Sequence, residues 1–361
     1  MTRREGLHLA LALEPGGWHP ALRAAADPAY LRAGHWTDLV VEAEHGLLDF
    51  VTFDDVFTPG GPPTGRPDPA LLAAAAAVRT RRVGLVTGAA LTLTQPAHTA
   101  SAAATLDHLS AGRAGIRVRP TARRADLDLF GLDDPGAYDL PVADLYEPGF
   151  VAMMDRTFGE AAEHVRAVRA LWSGEPVDHA GARYRVRGQA ASPRPLQGLP
   201  PVVALGHLTI PYRLGAEVAD VLFVTPHDAA EARATLSEVR ALQAEAGRAD
   251  DLLHVFADLL VYLDETPGAA AARRERLDAD SGAPSESDAL IFTGTPADLT
   301  ELLLAWHEAG LTGFRLRPGT VPEDLTAITR GVVPLLQKAG VFRTEYTTTT
   351  LRDHLALPPV P

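Results

Sequence analysis

Short apolar runs rich in Val, Leu and Ile recur along this chain, each followed by a longer stretch of helical periodicity, and that alternation leaves few folds open. The runs are "LHLALAL" (7–13), "DFVTF" (49–53), "VGLVTGAAL" (83–91), "AGIRVR" (114–119), "PVVALG" (201–206), "DVLFVT" (220–225), "HVFADLLVYL" (254–263) and "GFRLRP" (313–318). Between them lie helical patterns starting near Thr37, Pro67, Pro96, Gly159, Ala229 and Thr295, most with Pro or Ser/Thr/Asp at the start. Strand and helix alternating in this way signal parallel strands joined by helical crossovers. Eight such units predict a closed (β/α)8 TIM-like barrel in a single domain over 1–361. Insertions at about 120–153 (after the fourth strand) and 264–287 (after the seventh), a turn-rich piece at 174–199 before the fifth, and a tail at 341–361 extend the basic barrel of about 250 residues.

The chain is 46% hydrophobic, enough for a large core, and its formal charge of −13 argues against a general attraction to nucleic acid or anionic membrane. The absence of cysteine excludes disulfides, thiolate nucleophiles and cysteine-type zinc sites. Thirteen histidines show no paired ligand spacing, so no metal is expected. The opening "MTRREGLHLALAL" imitates a signal peptide, but its apolar run is short and is followed by Glu14 and Pro15, which reads as a first strand in a cytoplasmic protein.

Serine-hydrolase, Walker and zincin motifs are missing, and the prolines of "GGPPTG" at Gly60, with no lysine after it, exclude a phosphate loop. Asp54 and Asp55 end the second strand, but neighbours on a strand point to opposite faces, so only one can look into the barrel mouth. The fourth strand ends "GIRVRP" and the eighth "GFRLRP", placing Arg117, Arg119, Arg315 and Arg317 at matching positions. Either this echo is coincidence in an arginine-rich chain, or both strands supply cations to one mouth. Without an evident acid, base or nucleophile the catalytic residues stay unknown, and the chemistry is expected to come from a cofactor.

The segments "EHGLLDFVTFDD", "VGLVTGAALTLTQPAHTASAAATLDHLSAGRAG", "PRPLQGLPPVVALG", "FTGTPADLTELLLAWHEAGLTGFRLRP" and "FRTEYTTTTLRDHLALP" together resemble the luciferase-like flavin-dependent monooxygenases, nearest to the nitrilotriacetate monooxygenase type. The resemblance implies a barrel that binds FMN at the C-terminal ends of its strands. It also implies reduction of that FMN by a separate reductase, dioxygen as co-substrate, a small organic substrate and a homodimer. F420 is the alternative cofactor. Carried over by position, Asp55 matches the acidic residue near the flavin, Gly88 and Ala90 the end of the third strand, and "ALGHLTIPY" the phosphate loop, which brings in Gly206, His207, Leu208, Thr209 and Tyr212.

The chain departs from the family where polar flavin contacts are expected. "GIRVRPT" replaces "GWNVVTS", putting Arg117, Arg119 and Thr121 at the fourth strand's end, and Met154 and Phe158 stand where the family carries His and Tyr. Arg117 and Arg119 then bind phosphate or an acidic substrate, or they pair with carboxylates such as Asp49, Asp54 or Asp55. A barrel that has given up flavin catalysis and serves as a binding partner is the alternative function.

Overall fold

Every one of the eight apolar runs is a strand. A computed structural model of the chain describes residues 6–24, 28–58, 65–134, 136–139 and 146–360. The first residues of the opening segment, residues 60–64 of "GGPPTG" and residues 135 and 140–145 of the first insertion lie outside the described residues. In chain order the strands are β1 (His8–Leu13), β2 (Phe50–Phe53), β3 (Gly84–Ala89) and β4 (Ala114–Val118), then a hairpin of β5 (Val177–Ala180) and β6 (Arg185–Gly188). There follow β7 (Val202–Leu205), β8 (Val221–Val224), β9 (His254–Leu263), β10 (Leu290–Gly294) and β11 (Gly313–Pro318). The helices are α1 (Pro20–Ala24), α2 (Ala33–His45), α3 (Pro69–Ala77), α4 (Pro96–Leu109), α5 (Arg124–Leu129), α6 (Pro148–Trp172) and α7 (Thr209–Val218). After them come α8 (Ala229–Glu245), α9 (Pro267–Ser281), α10 (Pro296–Glu308), α11 (Glu323–Ala327), α12 (Val333–Lys338) and α13 (Leu351–His354). No described helix is long and apolar enough to cross a membrane.

Eight strands close a parallel barrel in the order β1-β2-β3-β4-β7-β8-β9-β11, with β11 returning to β1. The ten residues of β9 are long enough to take two partners along one edge: β8 pairs with His254 to Ala257, and β10 continues from Leu259 to Leu263. The region after the seventh barrel strand is therefore an ordered helix, α9, leading into this extra strand. Only Ala270 of α9 is buried, so it lacks the apolar stripe that makes a helix legible. Its signals were terminal: Thr266 accepts from the Ala269 N–H, and Gly282 closes the end at φ 79°. Helix α6 likewise starts at Pro148, with the Glu147 carboxylate accepting from the Phe150 N–H, and runs through Gly159. A Cβ at Gly159 would meet nothing, so this glycine costs only about 1 kcal/mol of propensity and ends nothing.

Alternation along the strands sorts the core into two shells. Outward residues such as Leu9, Val51, Ile116, Ala204 and Leu316 pack beneath the helices. Inward ones, among them Ala10, Phe50, Val86, Val203, Phe223 and Phe256, fill the barrel. The rings of Phe50, Phe223 and Phe256 form a triangle with centroids 6.1–6.2 Å apart. The tail closes the barrel from its N-terminal end: fully buried Leu351 and Leu355 join the inner cluster. Gly84 and Gly115 leave room for Leu351, since a Cβ on either would come within 2.6 and 3.2 Å of its methyls.

Polar side chains fix the same end. Asp107 accepts from Gln197 Nε2 at 2.6 Å and from the Gln197 and Ala114 backbone N–H groups, while Gln197 Oε1 accepts from the Arg352 N–H at 2.7 Å. Buried Arg113 donates to the carbonyls of Ala77, Thr80, Val83 and Ser110. Asp49 pairs with Arg343 and His8, and the Tyr346 hydroxyl donates to the Leu48 carbonyl. Thus the segments "LDHLSAGRAG" and "FRTEY…TLRDHLALP" serve the barrel's floor and not its mouth. Truncating Leu351 to Ala should lower stability by about 2–5 kcal/mol in urea unfolding while leaving ligand binding at the opposite end intact.

Two buried histidines give stability a pH dependence. Burial holds His254, whose Nε2 donates to the Leu355 carbonyl at 2.7 Å, down at about 4, and burial does the same to His164 beside Thr99. The ordinary value is about 6.5, so below it the unfolded chain binds protons first. Stability then falls as pH drops from about 6.5 to about 4, by at most about 1.4 kcal/mol per pH unit for each histidine. Urea midpoints across this range should show the decline, and His254→Gln should make it shallower; an unchanged slope in the variant would contradict this assignment.

Candidate active site

The C-terminal ends of the barrel strands open into a cavity of about 490 Å³. Beneath it lies the aromatic triangle, and between the two sits a layer of charge. Asp258 occupies β9 directly beside Arg315 of β11, the two being register partners. Its Oδ1 accepts from Arg315 Nε at 2.9 Å and its Oδ2 from Arg315 Nη2 at 2.5 Å and Arg317 Nε at 2.9 Å, with a further short contact to Arg317 Nη2. Arg315 is 1% exposed and its guanidinium lies 4.4 Å from the Phe223 ring centroid. Two residues further along the strand, Arg317 reaches Asp288 at 2.7 Å and stacks over Trp18 at 4.8 Å.

Across the barrel, alternation gives Arg117 of β4 the inward face while Ile116 and Val118 pack outward. An Arg117 Nη2 lies 2.7 Å from Asp54 Oδ1, and Arg119 contacts the Asp55 carbonyl and, at 3.3 Å, its carboxylate. Burial alone would raise the Asp54 carboxyl, but Arg117, Arg315, Arg317 and Arg119 outweigh it and hold the group below the usual range. Asp258 is held low in the same way by Arg315 and Arg317. Asp55 goes the other way: burial, with Asp54 beside it, raises its carboxyl despite Arg119 and Arg117.

The remaining wall is largely apolar, with Met153, Met154 and Phe158 of α6, Leu205 at the end of β7 and Pro211 in the first turn of α7, interrupted by Thr121, Tyr138 and Thr157. At the rim, His207 lies 3.3 Å from Asp288 and 3.0 Å from the Thr225 hydroxyl. Reduced hydration and Arg317 place its imidazole below its ordinary value, although Asp288 opposes this.

The structure distributes the sequence candidates as follows. Arg117, Arg119, Thr121, Met154, Phe158 and His207 line the cavity, and so do both strand-eight arginines of the echo, Arg315 and Arg317. Of the two adjacent carboxylates ending β2, Asp54 is on the cavity wall, and Asp55 packs against Gly88, where a Cβ would come within 2.6 Å of its Oδ1. Ala90 belongs to a small cluster with Leu93 and Leu127. Gly206 makes room for the Tyr212 ring, whose edge would lie 2.7 Å from an added Cβ. The Tyr212 hydroxyl bonds Thr235, Thr209 donates to Glu238 at 2.6 Å, and Leu208 is exposed. Thr121 commits its hydroxyl to Asp126 at 3.2 Å. Sequence reasoning did not find Asp258 or Asp288. Asp258 had a readable signal, as the lone carboxylate within "HVFADLLVYL" and therefore in need of a cation nearby. Asp288, in a loop, had none.

A parallel eight-stranded barrel with a mixed apolar and cationic pocket at the strand C-termini has the layout of a TIM-barrel enzyme. A sequence model of the luciferase-like monooxygenases matches residues 16–286, and the chain belongs to that family. It is 27% identical to nitrilotriacetate monooxygenase component A of Aminobacter aminovorans, over 95% of this chain and 93% of the relative. It is 24% identical to dibenzothiophene-sulfone monooxygenase of Rhodococcus erythropolis (strain XP), over 99% and 98%. The structure of EDTA monooxygenase from Chelativorans sp. BNC1 superposes with a TM-score of 0.83 at 22% identity, over 98% of this chain and 99% of that one.

Depth within the mouth sets the cost of losing each charge. Asp258→Asn leaves two buried guanidiniums facing each other and should cost about 3–5 kcal/mol in urea unfolding. Asp288→Asn, where the partner carboxylate is 38% exposed, should cost no more than about 1 kcal/mol. Equal effects of the two changes would contradict the layering.

Proposed function

We propose that the chain is a flavin-dependent monooxygenase of the luciferase-like type, taking reduced FMN from a separate reductase and using dioxygen to oxidise a small acidic organic substrate. One observation carries this reading: the cavity pairs an apolar wall of Met153, Met154, Phe158, Leu205 and Pro211 with a cationic wall that includes Arg117 and Arg119. That donor set suits a planar apolar ring with an anionic tail, so the residues present fit a flavin. Met154, Phe158 and Leu205 would face the ring, while Arg119, whose side chain is 22% exposed, would meet an oxyanion through its planar fork. Bound flavin would supply the oxygen chemistry. The chain's part is to exclude water with the apolar wall, orient the substrate with the arginines and hold Asp54 ionised beside them.

In this reading the protein works as a homodimer in the cytoplasm, and F420 is the alternative cofactor, sharing the ring and the anionic tail. The reading of a barrel without flavin catalysis draws on a specific observation. Met154 and Phe158 offer no polar contact, and the hydroxyls of Thr209 and Tyr212 are already engaged by Glu238 and Thr235.

Fluorescence and absorbance titration of the purified protein with FMN and F420, each oxidised and reduced, separates these readings. Saturable binding of FMN at micromolar concentration, strengthened on reduction, is the expected result. Binding of F420 alone moves the assignment to that cofactor, and no binding of either at high micromolar concentration leaves the non-catalytic barrel.

A further inference from the structure

Two guanidiniums in the floor of the cavity each keep a hydrogen-bond donor without an acceptor among the described residues. Arg315, 1% exposed, has its Nη1 buried without an acceptor among the described residues, and Arg117, 6% exposed, has its Nε in the same condition. Both residues line the cavity. A buried N–H without a partner is costly, more so on a charged group, so a fold that keeps two of them under one cavity is poised for a ligand acceptor. Asp258 already takes four N–H contacts from Arg315 and Arg317, Phe223 lies against the Arg315 guanidinium, and Asp54 Oδ1, 2.7 Å from an Arg117 Nη2, is a further buried atom of this layer without a hydrogen bond among the described residues.

We infer that Arg315 and Arg117 form a subsite for a carboxylate of the substrate, lying deeper than the rim. This rests on the reading of the mouth as an active site and adds to it where the substrate's acid group sits. Arg315 leaves β11 two residues, about 6.6 Å of backbone, below Arg317, and the two guanidiniums converge on Asp258 Oδ2, so the subsite lies at the level of that carboxylate. A small planar acid on the substrate reaches that level, and its two oxygens match donors held in fixed directions.

The probe is succinate, followed by calorimetry and thermal shift on the full chain, with its neutral diamide succinamide and inorganic phosphate as comparison ligands. Saturable succinate binding at millimolar concentration or tighter is expected, at least tenfold weaker with succinamide and at least tenfold weaker in Arg315→Lys, which keeps the charge and loses the fork. Arg117→Lys gives the same comparison from the other side of the barrel should Arg315→Lys fail to fold, as judged by circular dichroism. The proposal is overturned if succinate does not bind, if succinamide binds as well, if both lysine variants bind succinate like the unmodified chain, or if phosphate displaces succinate with equal affinity, which would mark an anion site for the cofactor's tail. FMN titrated into the unmodified chain tests the underlying reading by itself. FMN binding without succinate binding sinks the subsite alone, and failure of both sinks the reading beneath it.

Discussion

Asp258 held between Arg315 and Arg317 is the interaction on which the upper half of this barrel depends. A carboxylate with no exposure inside a ring of β-strands is tolerable only when its charge is matched at hydrogen-bond distance, and here two guanidiniums match it. That match passes the requirement outward. Two cations on one anion leave an excess, Asp288 takes part of it at the rim, and Arg117 and Arg119 repeat the pattern with Asp54 and Asp55 on the other side. The barrel thus changes character along its axis, from an apolar plug through an aromatic triangle to a charged layer and then an open cavity.

The two ends of the barrel divide the work. At the N-terminal end, Leu351 and Leu355 supply apolar burial and Asp107, Gln197, Arg113 and Arg352 supply hydrogen bonds, all directed at closing the fold. At the C-terminal end, one nitrogen of Arg117 and one of Arg315 have no acceptor among the described residues. Two such donors under one cavity place the capacity for a ligand at this end. The family resemblance runs through both, but the most distinctive shared segments belong to the closed end. At the open end lie the four arginines Arg117, Arg119, Arg315 and Arg317.

That division explains what was legible in the sequence. All eight barrel strands could be read because a strand buried on both faces is a continuous apolar run, and the inward direction of Arg117 and Arg119 followed from the two-residue period alone. Helix α9 escaped because it is polar on nearly every face, and the early start of α6 escaped because an exposed mid-helix glycine looks like a boundary in sequence. The arginine echo between β4 and β11 pointed to one mouth, and both strands do supply it. The partners of those arginines were less visible. Asp54 and Asp258 follow from strand alternation, whereas Asp288 depends on a loop path that no local pattern encodes. Thr209 and Tyr212, promising as free hydroxyls in sequence, turn out to be occupied by Glu238 and Thr235, which only the packing of α7 against its neighbours reveals.

A crystal structure of the protein soaked with FMN and succinate together tests the central claim most directly, that the charged mouth is a built ligand site and not merely a solution to packing charge in a barrel. The account predicts a planar ring against Met154 and Phe158 and a carboxylate within about 3 Å of Arg315 Nη1 or Arg117 Nε. Ligands bound elsewhere on the molecule, with both guanidinium nitrogens still without acceptors at saturating concentration, would contradict it.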